Sequence, residues 1–278
     1  MFSRDSVIRR VNAEPAILFG AGRALLLQLA HPSVAQGVDD HSDFQHNPFK
    51  RLQGTLEATY AVVFGDEALA AGVGRRIRWI HDHVTGPSYQ ANDPANLLWV
   101  HATLFDTALS CYERLVAPLS ARDRETYYEE MTQVAAVFGC PRDAQPADLT
   151  AFERYFDEQV ATLEVTDVGR ALARDIVRPT LPLQLHWPLA PALGLHRRAA
   201  IGLTPAPLRE KFEFAWTAAD QRRLDRVMRA ARATFLVTPR VARVAPGHLN
   251  GRYLLWRARR HVAAFDARVD ASAPARNP

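Results

Sequence analysis

The sequence predicts an all-α protein, a single irregular multi-helix domain of about ten helices, because apolar residues recur every three to four positions along nearly the whole chain. Two further observations agree. Ala, Leu, Arg and Glu, all good helix formers, dominate the composition, and runs that alternate apolar with polar residues are almost absent. With 278 residues, 48% of them hydrophobic, the chain can bury a sizeable core. No Gly/Ser-rich linker, compositional shift or fixed-period repeat divides it, so residues 1–266 read as one domain and residues 267–278 as a disordered tail.

The first helix is expected after Glu14-Pro15, with Pro15 in its first turn, and is expected to run to Ala30, where His31-Pro32 stops it. Ser33 to Asn47 is polar and histidine-rich and reads as a long loop, too long for a mere connector. Helices then follow over Pro48–Phe64, Asp66–Val84, Asp93–Val116 and Ala121–Phe138, punctuated by Gly65, Gly86-Pro87, Pro118 and Gly139-Cys140-Pro141. Further helices are expected over Asp148–Leu163 and Thr166–Val177, then a proline-rich apolar passage over Pro179–Pro191. Pro207–Phe212, Thr217–Leu236 and Gly247–Phe265 complete the set.

Composition also excludes several classes of function. The net charge is +4 and Lys50 and Lys211 are the only lysines; the arginines lie in mixed-charge helical patterns without interleaved aromatics, so a nucleic-acid partner is not expected. A peripheral contact with anionic lipid suits this charge better. The most apolar windows, Ala16–Ala30 and Leu97–Leu109, carry Arg23, His101 and Asp106 and fall short of the roughly 20 apolar residues of a membrane span. Met1-Phe2-Ser3-Arg4-Asp5 has no secretory pattern, and the two cysteines, Cys111 and Cys140, read as free thiols of a reducing compartment. A cytoplasmic location is the expectation.

Four polar residues interrupt faces that should be apolar. Val73, Ile77, Ile80, His81 and Val84 form one helical stripe, and Leu97, Leu98, His101, Leu104, Phe105 and Ala108 another, so both histidines point inward. His83 is about 200° round the helix from His81 and cannot share a metal with it. A buried imidazole either hydrogen-bonds to a neighbour or ligates something held between helices, and the second option makes an enzyme. Arg51 and Thr55 share a face with Ala58 and Val62; together they suit an anionic or polar group, and the plainer alternative is an arginine reaching a carboxylate on the next element.

His31, Asp39, Asp40, His41, Asp43 and His46 invite a metal-site reading, but the Glu-x-x-His motifs and further glutamates of a di-iron bundle are missing. His31 suits a helix C-terminus equally well. The nucleophile elbow, the Walker loop and Cys-x-x-Cys pairs are also missing, and Gly20-Ala21-Gly22 has no strand before it.

The chain resembles the oxygenase family that joins MpaB-type oxygenases with the bacterial latex clearing proteins, or rubber oxygenases. The likeness spans about residues 12–245 and rests on Arg23-Ala-Leu-Leu-Leu-Gln-Leu-Ala-His31-Pro32, Gly37-Val-Asp-Asp-His41-Ser42-Asp-Phe44, Arg51-Leu-Gln-Gly-Thr55, Arg78-Trp-Ile-His81 and Asp93-Pro-Ala-Asn-Leu-Leu-Trp-Val-His101, with a weaker echo in Gly202-Leu-Thr-Pro. It implies an all-α fold around a haem-sized pocket, non-covalent haem b, and dioxygen as co-substrate for a hydrophobic, isoprenoid or lipid-like small molecule. By the same resemblance His81 is the axial iron ligand, with His101 as the competing choice, and Arg51 and Thr55 lie on the distal side. Leu52, Leu56, Val62, Leu97, Leu104 and Phe105 would keep the pocket dry. If both histidines faced one pocket, bis-histidine ligation would favour electron transfer. Rubber-cleaving members carry a lysine where this chain has Gly54, so the substrate need not be a polyisoprene; their catalytic glutamate has no counterpart, and His41 or Asp39 stands as its replacement. Two other readings stay open: a cofactor-free helical protein that binds a lipid or terpenoid, and a haem carrier or sensor without catalysis.

Overall fold

The computed structural model describes residues 1–41, 48–179 and 183–272, and the side chains of all of these except 48–52, 183–189, 248–249 and 272. Among the described residues there are thirteen α-helices, two short 3-10 segments and a two-residue hairpin. The all-α expectation holds. Four helices start on side chains that the sequence marks as caps. Asp66 accepts the Leu69 N–H, Asp93 that of Ala95, Asp148 that of Ala151 and Thr166 that of Gly169, each satisfying an otherwise orphaned helical donor. Thr217 and Asp220 form a reciprocal capping box at a fifth helix start.

Helix α1 spans Val7–Asn12, a 3-10 segment Pro15–Gly20, α2 Ala21–Leu29, α3 Pro32–His41, α4 Pro48–Phe64, α5 Glu67–Asp82, α6 Pro94–Leu115 and α7 Ala121–Val137. The hairpin strands β1 (Thr85–Gly86) and β2 (Tyr89–Gln90) pair antiparallel between α5 and α6. After α7 come α8 (Leu149–Thr162), α9 (Asp167–Val177), α10 (Leu183–Leu203), α11 (Ala206–Lys211), α12 (Ala218–Val237) and α13 (Arg240–Ser272).

Helix α6 is the spine, packed against α2, the 3-10 segment, α7 and α12. Trp99 and Phe105 are fully buried on it; the Trp99 indole donates to the Leu27 carbonyl at 2.9 Å, and Phe105 stacks on Tyr127 at 5.1 Å. One continuous apolar core extends from Phe2 to Ala258. Arg23, buried in it, is satisfied by Thr107 at 2.6 Å, the Leu203 carbonyl at 2.8 Å and Asp106 at 2.5 Å, which ties α2 to α6 and α10. Helix α13 lies along α4 and α5, and a Cβ at Gly72 would stand 2.6 Å from Val262, so glycine permits that approach.

Several expectations need correction. The helix expected over Pro15–Ala30 is split into a 3-10 segment and α2. Residues 32–41 form α3 instead of a loop: Ala35, Gly37 and Val38 are buried, while Gln36, Asp39 and Asp40 turn outward or to the edge, an amphipathic pattern hidden by its high polarity. Residues 42–47, including Asp43 and His46, lie outside the described residues. The proline-rich passage enters α10, with Pro188 and Pro191 inside its bounds; buried Ala199, Ala200, Ile201 and Leu203 anchor its end. Helix α13 starts before Pro246 and continues to Ser272, past the Ala267 at which a tail was expected. Among the described residues, no helix is long and apolar enough to cross a membrane.

Candidate functional site

Helices α3, α4, α5 and α6, with the end of α7 and the hairpin, enclose a cavity of about 400 Å³. Helical spacing explains its walls. From α5 come Ile77, Ile80 and His81, with Val84 just beyond; from α6 come Leu97, Val100, His101 and Leu104. Gly54, Thr55, Ala58 and Thr59 of α4 complete the third side, and Val34, Gly37, Val38 and His41 of α3 the fourth. Two histidines from different helices therefore meet in one apolar chamber, as their stripes predict. His83 points away, its Nδ1 2.8 Å from the Trp79 carbonyl.

The two inward rings differ. On His81, Nδ1 is the nitrogen sealed within the protein, and the ring lines the chamber. On His101 it is Nε2 that is sealed, without a well-formed hydrogen bond, and the Met131 backbone beside the ring offsets only part of the cost of burial. Burial accordingly pulls His101 down to about 4, so the ring is neutral at physiological pH.

Cys140 also lines the cavity, but burial first and Asp143 second push its thiol up to about 11, which keeps it protonated and a poor ligand or nucleophile. Both cysteines are free and buried, as expected. Among the described residues, no group of three or more His, Cys, Asp and Glu side chains can hold a metal ion. An iron that brings its own macrocycle would need one protein imidazole, and His81 and His101 both line this chamber.

At the chamber rim, His41 is exposed, with Nε2 3.1 Å from the Thr85 carbonyl and its ring edge-on to Tyr89. Tyr89 donates to Asp40 at 2.6 Å; that bond first, and the one from Gln36 second, lower the Asp40 carboxyl, while burial and then Asp40 raise the Tyr89 phenol to about 12. Asp39 is exposed on α3 and does not line the chamber. The Arg51 and Leu52 side chains lie outside the described residues. Of the residues expected to keep the pocket dry, Leu97 and Leu104 line it, Leu56 lines an adjoining space, and Val62 and Phe105 are instead packed in the core. Among the described residues, a Cβ at Gly54 would meet nothing within 4 Å, so that wall is open to them where a longer residue would project.

Gln28, Thr59, Tyr89 and Asn96 also line the chamber and were not anticipated. Gln28 carried a legible signal, a lone amide in the run Leu25-Leu26-Leu27-Gln28-Leu29; it is buried and donates to Thr103 at 3.3 Å. Asn96 donates to the Gln90 carbonyl at 2.9 Å, a contact created by the hairpin.

Among curated proteins, uncharacterised proteins of Mycobacterium bovis and Mycobacterium tuberculosis are each 28% identical over 228 residues, covering 77% of this chain and 87% of the relative. No solved structure matches. Residues 8–233, which contain the whole chamber, match the family described as ER-bound oxygenase mpaB/B'/Rubber oxygenase, catalytic domain, and the chain belongs to that family.

Proposed function

We propose that this chain is a haem b-dependent oxygenase that uses dioxygen on a hydrophobic, isoprenoid or lipid-like small molecule. The observation that carries the reading is the convergence of His81 and His101 on one apolar chamber, in a chain of the oxygenase family. The chamber volume falls in the range of small-molecule and cofactor sites.

His81 would hold the iron: it lines the chamber from α5 beside Ile77 and Ile80, and the family resemblance gives it the axial place. His101 lines the same chamber with a neutral ring and stays the competing ligand, and ligation by both rings would favour electron transfer. Haem supplies the capacity to bind and activate dioxygen. The chain's own residues do the rest: Thr55 offers a hydroxyl to orient a polar group, and Ile77, Ile80, Leu97 and Leu104 exclude water and favour an apolar substrate. Arg51, one turn before Thr55 on α4, is proposed to pair with a propionate or to orient the dioxygen co-substrate, and His41 at the rim to serve as the base; Asp39 fits that part less well. Gly54 leaves the α4 wall open, which suits a substrate other than polyisoprene.

The visible spectrum of protein expressed with ample haem tests this, before and after dithionite and carbon monoxide. A Soret band that shifts with carbon monoxide is expected, lost in His81→Ala and kept in His101→Ala. The reverse pattern overturns the ligand assignment. Absence of any Soret band overturns the oxygenase reading in favour of a cofactor-free lipid- or terpenoid-binding protein.

A further inference from the structure

A second, smaller space of about 100 Å³ adjoins the chamber, and the two share Gln28, Thr55, Thr59, His101, Leu104 and Phe138. Its own walls are apolar, built from Leu25, Leu56, Ala24, Ala108, Met131 and Val134. The polar residues on its far side are already engaged: Asn12 donates to the Ile8 carbonyl at 2.9 Å, and the Thr107 hydroxyl accepts from Arg23 at 2.6 Å. Four of the six shared residues, Gln28, Thr55, Thr59 and His101, carry polar groups. These polar residues form a collar where two largely apolar compartments of unequal size adjoin.

That arrangement has a chemical meaning. A purely apolar ligand gains nothing from the collar and leaves the Thr55 and Thr59 hydroxyls facing hydrocarbon. A purely polar one wastes the apolar walls. We infer that the site takes an apolar chain with a slim end and a polar or polarisable group inside it, such as an oxygenated or unsaturated carbon; this group sits at the collar while the slim end fills the annex. The inference rests on the proposed apolar-substrate reading and adds the dimension it lacks, a fixed reach from chain end to reacting position. The annex admits only a few methylenes, and Ala24 and Ala108 set its width.

Positional isomers of one long-chain ketone, displacing an apolar fluorescent dye from the full-length protein, test this with and without added haem. Affinity is expected to rise as the carbonyl moves inward from the chain end, by about fourfold per methylene that enters the annex, and then to level off once the annex is full. A tert-butyl terminus should abolish the rise. Ala108→Phe or Ala24→Phe should bring the plateau nearer the chain end; should both variants fail to fold, the tert-butyl comparison on the unaltered protein still decides. Equal affinity for all isomers overturns the inference, as does a tert-butyl end that binds as well as a linear one. A Soret band without isomer preference sinks the annex and leaves the oxygenase; isomer preference without a Soret band does the opposite.

Discussion

The charge of His101 is set by where α6 puts it. Burial holds its pKa near 4 against 6.5 for a free imidazole, so the folded protein keeps the ring neutral where the unfolded chain takes up a proton. The folded state therefore binds fewer protons between those two values, and stability falls as pH drops from about 6.5 to about 4, then stops changing on this account. The full effect is about 3 kcal/mol. His31, lowered chiefly by burial against an opposing Asp93, acts in the same direction. Urea denaturation of the haem-free protein at pH 7 and pH 4.5 should show the loss, and His101→Leu should remove most of the slope; an unchanged slope would mean that the ring is solvated. Helical periodicity alone made His81 and His101 inward residues. Which nitrogen of each ring is sealed within the protein was not legible, because that depends on the side-chain torsions and, for His101, on Met131, thirty positions away on another helix.

At the level of elements, the chamber depends on how α7 ends. Gly139 has φ +102°, in the left-handed region that suits glycine. Its N–H reaches the Ala136 carbonyl and the Cys140 N–H that of Ala135, both at 3.0 Å, which is a Schellman stop. The stop sets Phe138 and Cys140 on the chamber wall. Gly139→Ala should cost about 1–2 kcal/mol in thermal or urea unfolding, as a Cβ must adopt the left-handed conformation. It should also loosen dye binding in the chamber more than an alanine at exposed Gly194, where a Cβ meets nothing within 4 Å. This stop was readable from Gly139-Cys140-Pro141. Helix α3 was not, since its buried side is made of small residues, Ala35 and Gly37, with Val38, and gives little apolar signal. Its face becomes intelligible only against α9 and the hairpin.

For the molecule as a whole, α13 is the brace. It lies beyond residue 233, where the family match ends, yet it packs on α4 and α5, which carry Thr55 and His81. Buried Glu57 of α4 is met there by Arg257 at 3.0 Å and His261 at 2.5 Å. Replacing Arg257 and His261 together by alanine strands that carboxylate and should cost about 3 kcal/mol, read as a lower urea midpoint. Glu57→Gln in the same background should recover part of the loss; a double variant as stable as the parent would make the brace decorative. Periodicity, caps and breakers determined by themselves that the chain is helical, where most helices lie and that His81 and His101 face inward, because these are local consequences of residue spacing and backbone chemistry. The tertiary structure alone decided that both rings share one chamber, that Gln28 and Thr59 join them in a polar collar, and that an apolar annex lies beyond. Those neighbours come from α2, α4, α5 and α6, and only the packing angles between helices, summed over the entire core, bring them together.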